Sequence, residues 1–88
     1  MKDAKRATPA ELTTSWPDIA STDAAGETAR QIVLSLRVAM GEASVRSVAS
    51  AAGIDESTVR KMLAGEVWPD IRTVALLEQA LRARLYPR

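Results

Sequence analysis

Between residues 44 and 65 the chain is cut into two short, separately capped segments, and that spacing constrains the fold more than any other feature. Ser44 can accept a hydrogen bond from the first free amides of a helix. The run VRSVASAA follows it, and Gly53 can take the positive φ that closes such a helix. Asp55 then stands at the N-cap of a second helix over residues 56–64, closed in turn by Gly65. Only Gly53, Ile54 and Asp55 separate the two. Helices this short are marginal alone, so each must bury an apolar face against its neighbours. Val48, Ala52, Ile54, Val59 and Met62 are spaced to seal the angle between them, and Ala49 is small enough for the two rods to approach closely.

The flanks continue the helical pattern. Ala29, Ile32, Val33, Leu36 and Met40 recur at three- and four-residue intervals, which predicts a helix from Glu27 through about Met40, stopped by Gly41. After Trp68 and Pro69, Asp70 can cap a further helix carrying Ile71, Val74, Leu77, Leu81 and Leu85 on one face, with Pro87 preventing its continuation. No stretch alternates with a period of two. The fold class predicted is all-α, a compact domain of four to five helices over residues 27–88. Residues 1–26 read differently, with Pro9, Pro17 and Gly26 among small polar residues. They predict an N-terminal arm, partly flexible, with a short helix begun by Thr8-Pro9-Ala10-Glu11 and stopped by Pro17. Leu12, Trp16 and Ile19 are the side chains able to dock that arm on the domain.

Composition narrows the function. Cysteine and histidine are both absent, which removes disulfides, thiolate zinc sites, the commonest metal ligand and the commonest general base. No paired carboxylates, Gly-rich phosphate loop or metal-ligand cluster is legible. The chain reads as no enzyme, with no cofactor, no metal and no small-molecule ligand. The first six residues are mostly charged and no targeting segment follows them. No apolar run approaches the roughly 20 residues a membrane span requires, so no membrane partner is expected. The net charge of +1 permits a nucleic-acid partner without demanding one.

Two short helices joined by three residues, with glycine at the bend, form a helix-turn-helix arrangement. Val48-Ala49, then Gly53-Ile54, Ser57-Thr58-Val59, Leu63-Ala64-Gly65 and Pro69 resemble, in order and spacing, the lambda-repressor, Cro and Xre-like regulators. The resemblance covers about residues 28–87. The run from Trp68-Pro69-Asp70 to Leu85-Tyr86-Pro87 is similar to compact regulators of actinobacteria and their phages. It implies a lambda-repressor-like DNA-binding domain, a partner in double-stranded DNA, transcriptional regulation in the manner of Cro or a repressor, and a cytoplasmic location in a bacterial cell or phage-infected host. A homodimer would meet half-sites about one helical turn, or roughly 34 Å, apart.

Helical geometry names the outward face independently. With Val59, Met62 and Leu63 inward, a 100° step sets Ser57, Lys61 and Ala64 opposite, and Glu56, Thr58 and Arg60 on the flanks. Ser57 and Lys61 are the base-edge candidates, since lysine can donate to guanine O6 or N7. Glu56 can accept from a cytosine amino group or favour the helix start electrostatically, and Ala64 can touch a thymine methyl. Arg46, at the N-terminus of the preceding helix, is placed with Thr58 and Arg60 to meet phosphates. Lys2, Lys5 and Arg6 form a small basic cluster suited to a minor-groove arm. Glu66 and Asp70 depart from the pattern by bringing negative charge to the loop where phosphate would pass. An alternative reading is an antitoxin or adaptor that binds a protein partner through its Trp16-bearing N-terminal segment, ordering on contact.

Overall fold

Side-chain caps set where most of the helices begin. The computed structural model describes residues 6–87, and these are all-helical: a short 3-10 helix (Pro9–Leu12) followed by α1 (Ala24–Met40), α2 (Val45–Ala52), α3 (Glu56–Leu63) and α4 (Ile71–Leu81), with no strand among the described residues. The carboxylate of Asp23 accepts the Gly26 amide at 2.8 Å. The first helix therefore starts three residues earlier than the apolar periodicity predicts. Ser44 Oγ accepts the Ser47 amide at 3.0 Å and opens α2. Asp70 accepts both the amide of Thr73 (2.7 Å) and its hydroxyl (3.0 Å), which hold its carboxyl below the ordinary carboxylate range. Asp55 occupies the N-cap of α3 as expected, but its side chain makes no cap bond and instead accepts the Ser57 hydroxyl at 2.9 Å.

Glycines close both central helices in the same way. Gly53 lies in the left-handed region (φ 71°, ψ 32°). The Ile54 amide reaches back to the Ala49 carbonyl at 3.0 Å, and that of Gly53 to Ser50 at 3.2 Å, satisfying carbonyls that a helix end leaves open. At the end of α3 the Glu66 amide bonds Lys61 O at 2.9 Å and the Gly65 amide bonds Met62 O at 3.0 Å, with Gly65 at φ 71°. This closure ends α3 at Leu63, with Ala64 as its C-cap.

One core joins all four helices. Ile32 and Leu36 of α1, Val48, Ala49 and Ala52 of α2, Val59 and Met62 of α3, and Val74 and Leu77 of α4 are buried together with Leu85. Ile54, expected among the sealing residues, is half-buried at the edge of this cluster. The fourth helix departs further from the sequence reading. Ile71 is 74% exposed, because the buried stripe of α4 runs through Thr73, Val74 and Leu77 instead. The helix ends at Leu81, where Arg82 turns left-handed (φ 52°) well before Pro87. Leu85 is thus no part of α4's face. The Glu78 carboxylate accepts the amides of Leu85 (2.7 Å) and Tyr86 (3.2 Å), and the tail folds Leu85 back to full burial.

The described part of the N-terminal segment is packed rather than free. Thr8 and Glu11 form a reciprocal capping box, and Pro9 is buried. The 3-10 helix lies on α1, where a Cβ at Gly26 would come within 2.9 Å of Ser21 Oγ and 3.2 Å of Leu12. Ile19, unlike Leu12 and Trp16, stays 49% exposed. A polar network completes the attachment. Glu27 receives both guanidinium arms of Arg30 (2.8 and 2.9 Å), the Gln31 amide (2.9 Å) and the Ser21 backbone amide (2.8 Å), while Arg30 also donates to Pro17 O at 3.0 Å.

These bonds, Arg30's first and then those of Gln31 and Ser21, hold the Glu27 carboxyl down from 4.5 to about 2. A carboxyl whose folded value lies below its unfolded one stabilises the fold fully above the unfolded value. That contribution is lost as pH falls from about 4.5 through about 2. Urea midpoints recorded across this window should decline, and Glu27→Gln should flatten that part of the curve. Identical pH slopes for the two proteins would show that the network does not tie the segment down.

Candidate nucleic-acid interface

Two fully buried side chains fix the rotation of α3. Val59 and Met62 are 0% and 1% exposed, and at three residues apart they share one face of the helix. Ser57, Lys61 and Ala64 come to the opposite side, where all three are exposed. Arg60 is exposed beside them, and Glu56 and Thr58 are half-buried on the flanks. Neither Lys61 nor Arg6 takes part in an ion pair among the described residues.

Glu56 is the hinge of the local electrostatics. Arg60, one turn further on, donates a guanidinium hydrogen to one of its oxygens, and Arg46 Nε of α2 lies 3.6 Å from the other. The carboxyl sits below its ordinary range, chiefly through the Arg60 bond. Its oxygens are thereby committed to two arginines, so Glu56 links α2 to α3 and leaves one net positive charge across the three side chains. The Arg46 and Arg60 side chains remain 85% and 60% exposed. At the start of α2, Ser44 uses the Ser47 and Val48 amides. The first amides of the helix then point outward, as at any helix start, beside Arg46.

The sequence reading missed what holds the far end of α3. Trp16 Nε1 donates to the Leu63 carbonyl at 2.9 Å, and its ring lies against Gly65, where a Cβ would come within 2.6 Å of Trp16 Cε2. The Ala10 amide donates to Gly65 O at 2.9 Å. In return, Trp68 Nε1 donates to the Ala7 carbonyl at 2.9 Å. The two tryptophans thus clasp the segment against the residues that follow α3. No signal in the sequence pairs Trp16 with a helix end 47 residues away; the absence of phenylalanine only marks the two tryptophans as the largest anchors available. Of the basic cluster, Arg6 is exposed next to this clasp, whereas Lys2 and Lys5 lie outside the described residues.

Among the described residues no three His, Cys, Asp or Glu side chains are grouped to hold a metal ion, and no helix is long and apolar enough to cross a membrane. Compared with known proteins, the chain matches no family model and no curated protein.

Proposed function

We propose that this protein is a sequence-specific regulator of the lambda-repressor, Cro and Xre type, which reads double-stranded DNA by inserting α3 into the major groove. The observation that carries this reading is the exposed Ser57–Lys61–Ala64 face on a short helix tied down at both ends. At about 1.5 Å per residue, the eight residues of α3 span about 12 Å, and a helix with its side chains fits a major groove about 12 Å wide. Lys61 and Ser57 meet base edges, and Ala64 suits a thymine methyl. Arg46, the amides at the start of α2, Thr58 and Arg60 meet phosphates and set the register. Glu56 orders the two arginines through its paired oxygens. Bound at an operator, such a domain acts by excluding polymerase or a competing regulator.

The protein-partner alternative drew on the Trp16-bearing segment. That tryptophan has an internal use, on Gly65 and Leu63, which removes it as the exposed anchor that reading requires.

Selection of bound sequences from a random duplex pool tests the reading. A motif should be enriched, and the logarithm of its binding constant should fall linearly with the logarithm of salt concentration. Arg46→Ala should weaken all sequences alike and lower the salt slope by about one. Equal retention of every duplex, with no enriched motif, sinks the proposal.

A further inference from the structure

The loop after α3 is short of positive charge. Residues 62–71 contain Glu66 and Asp70 but neither lysine nor arginine. Asp70 is turned toward the start of α4, where Thr73 occupies it, and Glu66 is exposed. If α3 enters the major groove, its C-terminal turn comes up against a sugar-phosphate wall, and an acidic loop there would repel it. The clasp brings a cation from elsewhere in the chain. The Ala7 carbonyl is held by Trp68, and the Ala10 amide by Gly65. Arg6 therefore starts one Cα step, about 3.8 Å, from a backbone position tied to this loop. Its side chain is exposed and makes no ion pair among the described residues.

We infer that Arg6 is a phosphate-contacting residue delivered to the C-terminal end of α3, with Trp68 as the positioning residue that holds it there; this rests on the groove-reading function proposed above. The guanidinium suits the task because its fork matches phosphate oxygens. Anchoring at Ala7 suits it too, since a pre-placed side chain loses less freedom on binding than one on a free arm. Arg6 serves the backbone beside the acidic loop, a different duty from probing the minor groove on a swinging tail.

The test compares salt dependence on the duplex the selection enriches. Arg6→Ala should weaken binding to all duplexes alike. Losing one phosphate contact lowers the slope by about 0.9, so the drop in affinity between 50 and 200 mM salt should shrink by about 3–4-fold. Arg84→Ala, which removes an equal charge from an exposed side chain beyond α4, should leave the slope unchanged. Trp68→Phe keeps an aromatic ring but deletes the donor to Ala7 together with part of the indole. It should reproduce the Arg6→Ala slope while preserving the enriched motif, and the double variant should lose no more than either single one. An unchanged slope in Arg6→Ala, with the motif still bound, overturns this inference and leaves the groove-reading function standing. An equal loss in Arg84→Ala, or none in Trp68→Phe, also overturns it. Failure of the unaltered chain to retain any duplex overturns both.

Discussion

Gly65→Ala should destabilise the protein by about 2–5 kcal/mol, whereas Gly53→Ala should cost only about 1–2 kcal/mol. Both glycines have φ 71° and close a helix with the same backbone bonds. A left-handed backbone costs an L-residue about 1–2 kcal/mol in either place. They differ in what a methyl group would meet. At Gly53 nothing lies within 4 Å, whereas at Gly65 a Cβ would fall 2.6 and 2.8 Å from two atoms of the Trp16 ring and 2.9 Å from the Ala10 Cβ. Overpacking of that kind adds about 1–3 kcal/mol. For 88 residues the whole stability is about 4–13 kcal/mol, so Gly65→Ala brings the fold toward its margin and Gly53→Ala does not. Urea unfolding followed by circular dichroism measures both. Tryptophan fluorescence of Gly65→Ala should change at low urea, because the indole must leave its seat before the helices melt. Equal losses for the two variants would mean that Trp16 does not sit on the glycine.

The comparison also separates what was legible in the sequence from what was not. Caps and glycine stops are local, with donor and acceptor within about four residues. Ser44, Gly53, Asp70 and Gly41 accordingly stand where the sequence places them. The inward set Val59 and Met62 follows from helical spacing alone, and with it the exposed Ser57, Lys61 and Ala64. The misses need contacts between distant residues. Trp16 is named by the sequence as an anchor of the segment, but its partner Leu63 lies 47 residues away, and Ala7 and Trp68 are 61 apart. Composition read the first 26 residues as an arm because small polar residues offer few apolar anchors. Two indole donors and one glycine are enough when each finds a carbonyl or an open face. Leu85 departs from its expected place on α4 for a related reason. Its spacing fits the α4 stripe, but the Glu78 carboxylate gathers the tail amides after the helix has ended. Asp55 shows the opposite limit, since its position was right while its carboxylate took a hydroxyl partner two residues on.

On the groove-reading function proposed above, Lys61→Ala should leave the fold intact and erase base preference at one position of the bound motif. Alanine is the best helix former, the Lys61 side chain has no ion pair among the described residues, and the carbonyl that closes α3 onto Glu66 is backbone. Thermal unfolding of the variant should therefore match that of the parent. A side chain donating to guanine O6 or N7 discriminates against the wrong base by about 5–150-fold. That much should vanish at the position Lys61 reads, while neighbouring positions keep their preferences. Arg46→Ala provides the contrast, because a lost phosphate contact lowers affinity for the preferred and the substituted duplex by the same factor. The distinction lies in the pattern across sequences, which a general loss of charge cannot imitate. If Lys61→Ala scales every duplex down uniformly, Lys61 touches only backbone, and the face of α3 that reads bases must be sought nearer Ser57. If affinity and pattern both stay unchanged, the exposed side of α3 does not meet DNA.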